Sequence, residues 1–69
     1  MTKQQMTNLF SWLPESFKPQ PNSGHSMLFM IEEGPVADEV CDTLTEEDVK
    51  YTCEQADDLC YEIEAQTED

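Results

Sequence analysis

Residues 45–65 read TEEDVKYTCEQADDLCYEIEA, and how this stretch folds decides the architecture of the chain. Two periodicities overlap in it. On a helical wheel at about 100° per residue, Val49, Thr52, Cys53, Ala56, Leu59, Cys60 and Ile63 share one arc, and Glu47, Glu54, Asp58 and Glu62 collect opposite. Thr45 stands in front of three acids, a pattern that caps a helix N-terminus and suits the helix dipole. The preferred reading is therefore a helix over 46–65 with a core stripe and an acidic stripe. The alternative counts by twos. Val49, Tyr51 and Cys53, then Leu59, Tyr61 and Ile63, alternate as strands do, which makes 49–65 a β-hairpin in a three-stranded antiparallel sheet. Against the hairpin, 55–58 has neither the Gly nor the Asn that tight turns favour.

Outward from this stretch the signals are simpler. Residues 36–44 carry Val36, Val40 and Leu44 at intervals of four, and Pro35 suits a first helical turn, so a helix is expected there. Residues 27–31 (MLFMI) form a short apolar run, read with Glu32 as one strand over 27–32. A lone strand leaves backbone groups unpaired. Its partner would come from the hairpin, from an irregular N-terminal segment, or from a second copy in a homodimer. Residues 18–26 (KPQPNSGHS) read as a loop. Met6, Leu9, Phe10 and Leu13 mark an N-terminal amphipathic helix with Thr2 as its cap, ended by Pro14. Phe17 and Phe29 are assigned to the core. The expected fold is a small α+β domain with an N-terminal helix, one strand, two acidic C-terminal helices (36–44 and 46–65) and a frayed end over 65–69.

The whole chain is 69 residues long, which allows one small domain, 1–69. Leu, Ile, Val and Phe together number 13, so its core is slight. Sixteen Asp and Glu face three Lys and Arg, for a net charge of −13. The charge is lopsided. Residues 1–31 are near neutral, and 32–69 hold every acid except Glu15, with Lys50 as the single base. Three basic residues cannot neutralise a run of phosphates, which excludes direct nucleic-acid binding. The longest apolar run is far below the ~20 residues of a membrane span, and the N-terminus lacks a signal-peptide core. A cytoplasmic protein is expected.

Little points to catalysis, metal binding or a cofactor. Sixteen carboxylates guarantee chance pairs, and no group orients a base for a nucleophile near His25. Cys41, Cys53 and Cys60 with His25 lack the paired spacing of zinc ligands. Asp57-Asp58 and Glu46-Glu47-Asp48 lack the glycine of a calcium loop. The odd cysteine number suggests reduced thiols packed as small hydrophobes.

The charge itself is the functional signal. Like charges crowded on so small a domain oppose its folding, and a cost of that kind suggests a use. Glu47, Glu54, Asp58 and Glu62, with Glu32, Glu33, Asp38, Glu39 and Asp42 from the preceding turn and helix, make a carboxylate surface fit for a groove that holds a polyanion. Trp12, off its helix's apolar stripe, is a candidate contact anchor. In size and composition over its whole length, the chain resembles the small acidic phage-encoded inhibitors that imitate DNA. These include anti-restriction proteins, inhibitors of DNA-repair enzymes and some anti-CRISPR proteins. The resemblance implies a non-enzymatic counter-defence inhibitor in the host cytoplasm, with a basic nucleic-acid-binding protein as its partner. The alternative is an acidic adaptor that binds a complex outside its nucleic-acid groove, using the apolar strand to extend a partner's sheet.

Overall fold

The computed structural model describes residues 1–57 and 59–69. The elements run α1 (Lys3–Leu9), a 3-10 turn (Glu15–Phe17), β1 (Gln20–Pro21), β2 (Ser26–Ile31), α2 (Gly34–Glu46), β3 (Tyr51–Gln55) and β4 (Tyr61–Gln66). The strands form one antiparallel sheet in the order β1-β2-β4-β3. The second C-terminal helix expected over 46–65 is absent. A hairpin stands in its place, within a sheet of four strands rather than three.

The reason lies at Thr45-Glu46-Glu47-Asp48. These residues close a helix rather than open one. Thr45 Oγ1 donates backward to the Cys41 carbonyl at 2.9 Å instead of capping forward amides. Asp48 takes a left-handed backbone with φ 58°. The Asp48 amide donates to the Thr45 carbonyl at 3.1 Å and the Val49 amide to the Leu44 carbonyl at 2.9 Å. That pair of bonds is a Schellman cap, which usually has glycine at the left-handed position. Asp is tolerated there because its short polar side chain bonds locally. Val49 then packs against the core to which Leu44 belongs, as the apolar residue after such a cap usually does.

Past the cap, alternation takes over. Tyr51 pairs with Ala65, Cys53 with Ile63 and Gln55 with Tyr61. The turn is built by Asp57, whose Oδ1 accepts from the Leu59 and Cys60 amides at 3.1 Å each. Asp thus does what an Asn or Gly would have done. The Ala56 amide donates to the Cys60 carbonyl at 2.8 Å and closes the hairpin.

β2 finds its partners in the same chain, with β4 along its full length and β1 at Leu28 and Met27. It begins and ends one residue earlier than expected, leaving Glu32 outside. β3 is one edge of the sheet, and on the other side β1 pairs with β2 only at Met27 and Leu28. Turning from β1 to β2 requires Gly24 at φ 73°, and the Asn22 amide donates to the Ser26 carbonyl at 3.0 Å. α2 is a turn longer than 36–44, with Pro35 in its first turn. α1 begins at the expected Thr2 cap, which Gln5 completes as a capping box. It stops at Leu9, well before Pro14, and a turn closed by Leu13 N donating to the Phe10 carbonyl carries the chain onward.

Both helices cover one side of the sheet. Met6, Phe10 and Leu13 from the N-terminal segment and Ala37, Val40 and Leu44 from α2 meet Met27, Phe29, Ile31, Ile63 and Ala65. Phe10 and Phe29 pack edge to face with centroids 4.9 Å apart, a favoured aromatic geometry. Phe17 is buried in the same cluster. The C-terminal segment is pinned rather than frayed. Thr67 N donates to the His25 carbonyl at 2.8 Å, Glu68 N to the Met1 carbonyl at 3.0 Å, and Lys3 N to Asp69 Oδ1 at 2.9 Å. That backbone donor from Lys3, together with the Lys3 charge, holds the Asp69 carboxyl below its ordinary value.

Candidate partner-binding face

With both helices on one side, the other side of the sheet is uncovered. Side chains alternate along each strand, so Leu28 and Met30 of β2, Glu62 and Glu64 of β4, and Thr52 and Glu54 of β3 stand on it together. The register lays them out in rows. Leu28, Glu64 and Thr52 form one row, and Met30, Glu62 and Glu54 the next. Adjacent side chains in a row are about 5 Å apart at Cβ, and Glu62 and Glu64 are separated by two strand residues, about 6.6 Å. The carboxylates thus form a two-dimensional array instead of the single stripe of a helix.

A shallow concavity of about 290 Å³ is lined by Asn22, Leu28, Thr52, Glu54, Glu62 and Glu64. Its one end is rigidly built. Glu64 Oε2 accepts from Asn22 Nδ2 at 2.7 Å and from Ser26 Oγ at 3.2 Å, tying the β1–β2 turn to β4. Met30 is 42% exposed and gives the face an apolar spot beside its charges.

Among the described residues, the ion pairs join Met1's amine to Glu68, Lys3 to Asp69 and Lys18 to Glu15. None of the three involves a carboxylate of this face, and Lys50, two residues before Thr52, falls on the same side by alternation without an ion pair among the described residues. Nor do the carboxylates converge on a cation, since no group of three or more His, Cys, Asp or Glu among the described residues is placed to hold a metal ion.

Of the residues expected to form one acidic surface, Glu54 and Glu62 come together as direct cross-strand partners. Glu47 caps the C-terminus of α2. Asp58 lies outside the described residues. Asp38, Glu39 and Asp42 are exposed on α2, away from the inward-facing Ala37, Val40 and Leu44, and so belong to the opposite surface of the domain. Glu33 precedes α2 at its N-cap without bonding it through its side chain. Glu32 reaches the hairpin end of the sheet. There the Cys60 thiol is raised above its ordinary value, first by burial and then by the charges of Asp57, Glu32 and Glu62. Trp12 is 51% exposed, but it sits beside Phe10, with centroids 6.4 Å apart, on the helical side.

Sequence reasoning missed Glu64, Asn22, Thr52 and Leu28. The alternation Glu62-Ile63-Glu64-Ala65 carried the signal for Glu64; nothing local marked Asn22, which reaches the face through a turn 42 residues away. The cysteines do not share one core stripe either. Cys41 packs against the core, Cys53 is exposed and Cys60 is half-buried.

No helix among the described residues is long and apolar enough to cross a membrane. Compared with models of protein families, with curated proteins and with solved structures, the chain matches none.

Proposed function

We propose that the protein is a non-enzymatic inhibitor that occupies the basic groove of a nucleic-acid-processing protein in the cytoplasm of a host cell, standing in for the polyanion that the groove normally holds. The observation that carries this reading is the uncovered sheet face, where Glu54, Glu62 and Glu64 stand in register and, among the described residues, in no ion pair.

The chemistry follows from the array. The sheet fixes the spacing of the Cβ atoms, and Asn22 and Ser26 already hold the Glu64 carboxylate, so the ordering left for binding falls on Glu54 and Glu62. Arg residues that normally grip phosphates take a carboxylate as well, two bonds at a time. The net charge of −13 attracts a basic groove from a distance and speeds encounter. Met30 and Leu28 then supply apolar contact that salt does not screen. Charges on α2 add to the long-range field but face elsewhere, which assigns contact to the sheet and steering to the helix.

The test is capture from host lysate with the wild-type chain and with a Glu54→Gln, Glu62→Gln, Glu64→Gln variant. The expected result is a nucleic-acid-processing protein retained by the wild type and lost with the triple variant, while both chains give the same circular dichroism. Equal capture by the two would rule out the sheet face as the contact surface.

A further inference from the structure

We propose that Cys41 of α2 and Cys53 of β3 form a reversible intramolecular disulfide that staples the free edge of the sheet to the helix covering it. The geometry comes from the contact between these two elements. Thr45 Oγ1 lies 3.3 Å from the Tyr51 hydroxyl and fixes where α2 crosses β3. One helical turn back from Thr45 is Cys41, whose carbonyl accepts from Thr45 Oγ1. Two residues on from Tyr51, on the same side of the strand, is Cys53. A four-residue helical step rises about 6 Å, and a two-residue strand step advances about 6.6 Å. Helix and strand are joined by a tight cap and run in opposite directions, so the two steps coincide and carry Cys41 to Cys53. In keeping with this placement, the Cys41 thiol is raised first by burial and next by Cys53, while the Tyr51 hydroxyl acts the other way.

Exposure divides the labour. Cys53 is open to solvent and Cys41 is half-buried. Cys60 stands on the other side of the sheet from Cys53, because Cys53 is opposite Ile63 and Cys60 is an odd number of residues from it. It is therefore excluded from the pair. With glutathione disulfide as oxidant, the Cys53 thiolate attacks one glutathione sulfur, the sulfur–sulfur bond breaks, and one glutathione leaves as thiolate. The Cys41 thiolate then attacks the Cys53 sulfur and expels the second. Two protein thiols are oxidised, one glutathione disulfide is reduced to two glutathiones, and the two thiol protons end on them. β3 has a strand neighbour on one side only. Edge strands of this kind are where sheets peel and aggregate, and the staple holds this one from its helix side.

The test uses the full chain incubated with oxidised glutathione, then alkylated and peptide-mapped without reduction. The expected product is monomeric, links Cys41 to Cys53 and leaves Cys60 open to alkylation. Its melting temperature rises, and dithiothreitol reverses both changes. Cys60→Ala retains the link, whereas Cys41→Ala stops at a glutathione adduct on Cys53. The proposal is overturned by a wild-type chain that accumulates that same adduct, or that links through Cys60 or between chains.

Discussion

Glu54 of β3 and Glu62 of β4 are direct cross-strand partners, and both project from the uncovered side of the sheet. Like charges directly opposite each other destabilise a sheet by a few tenths of a kcal/mol up to about 1. Glu54→Gln is therefore expected to stabilise the fold by about 0.5 kcal/mol in urea denaturation while weakening capture of the partner. A substitution that improves the fold and impairs binding marks a residue kept for contact. If Glu54→Gln lowers stability and leaves binding intact, the pair belongs to the fold.

Asp48 ends α2 in a left-handed conformation that glycine adopts without cost. Asp48→Gly is expected to raise stability by about 0.5–1 kcal/mol. Asp48→Val, β-branched and ill suited to positive φ, is expected to lower it by more than about 1 kcal/mol. Thermal melts of both variants check the sign at once.

That cap also explains what the sequence concealed. Thr-Glu-Glu-Asp fits the start of a helix, and without a glycine nothing in it announces an end. The mark of the Schellman motif is its pair of hydrogen bonds, which become visible only in three dimensions. Val49, Cys53, Ala56, Cys60 and Ile63 fit a helical arc by coincidence, for in the hairpin Cys53 and Ile63 stand on the helix side, Ala56 is exposed in the turn and Cys60 stands on the other side. The decisive clue was physical rather than periodic: β2, apolar and central, required a strand partner for its backbone, and only residues 51–66 supplied one of its length. Shorter-range signals read true. The Thr2 cap, Pro35 in the first turn of α2 and the apolar run at 27–31 each depend on neighbours in sequence. The candidate site was legible in charge but not in placement, since Glu54 and Glu62 meet across a hairpin while Asp38, Glu39 and Asp42 face the opposite way.

The Cys41 thiol is pushed from 9.0 to about 11, by burial first and then by Cys53. A thiol raised on folding keeps its proton after the unfolded chain has lost it. The folded state then binds more protons, and stability falls as pH rises from about 9 toward 11. Urea denaturation of the reduced wild type at pH 8, 9.5 and 10.5 is expected to show this decline relative to Cys41→Val. Parallel curves for the two chains would mean that the thiol is not buried on folding.

Inhibition of the proposed kind requires that the open sheet face occupy the site that a nucleic acid would fill. The direct measurement is a displacement titration: the complex of this protein with its captured partner is challenged with duplex DNA or RNA while its dissociation is followed by fluorescence. Mutually exclusive binding is predicted, with affinity for the protein falling as added salt screens the charges. A stable ternary complex of protein, partner and nucleic acid would contradict it.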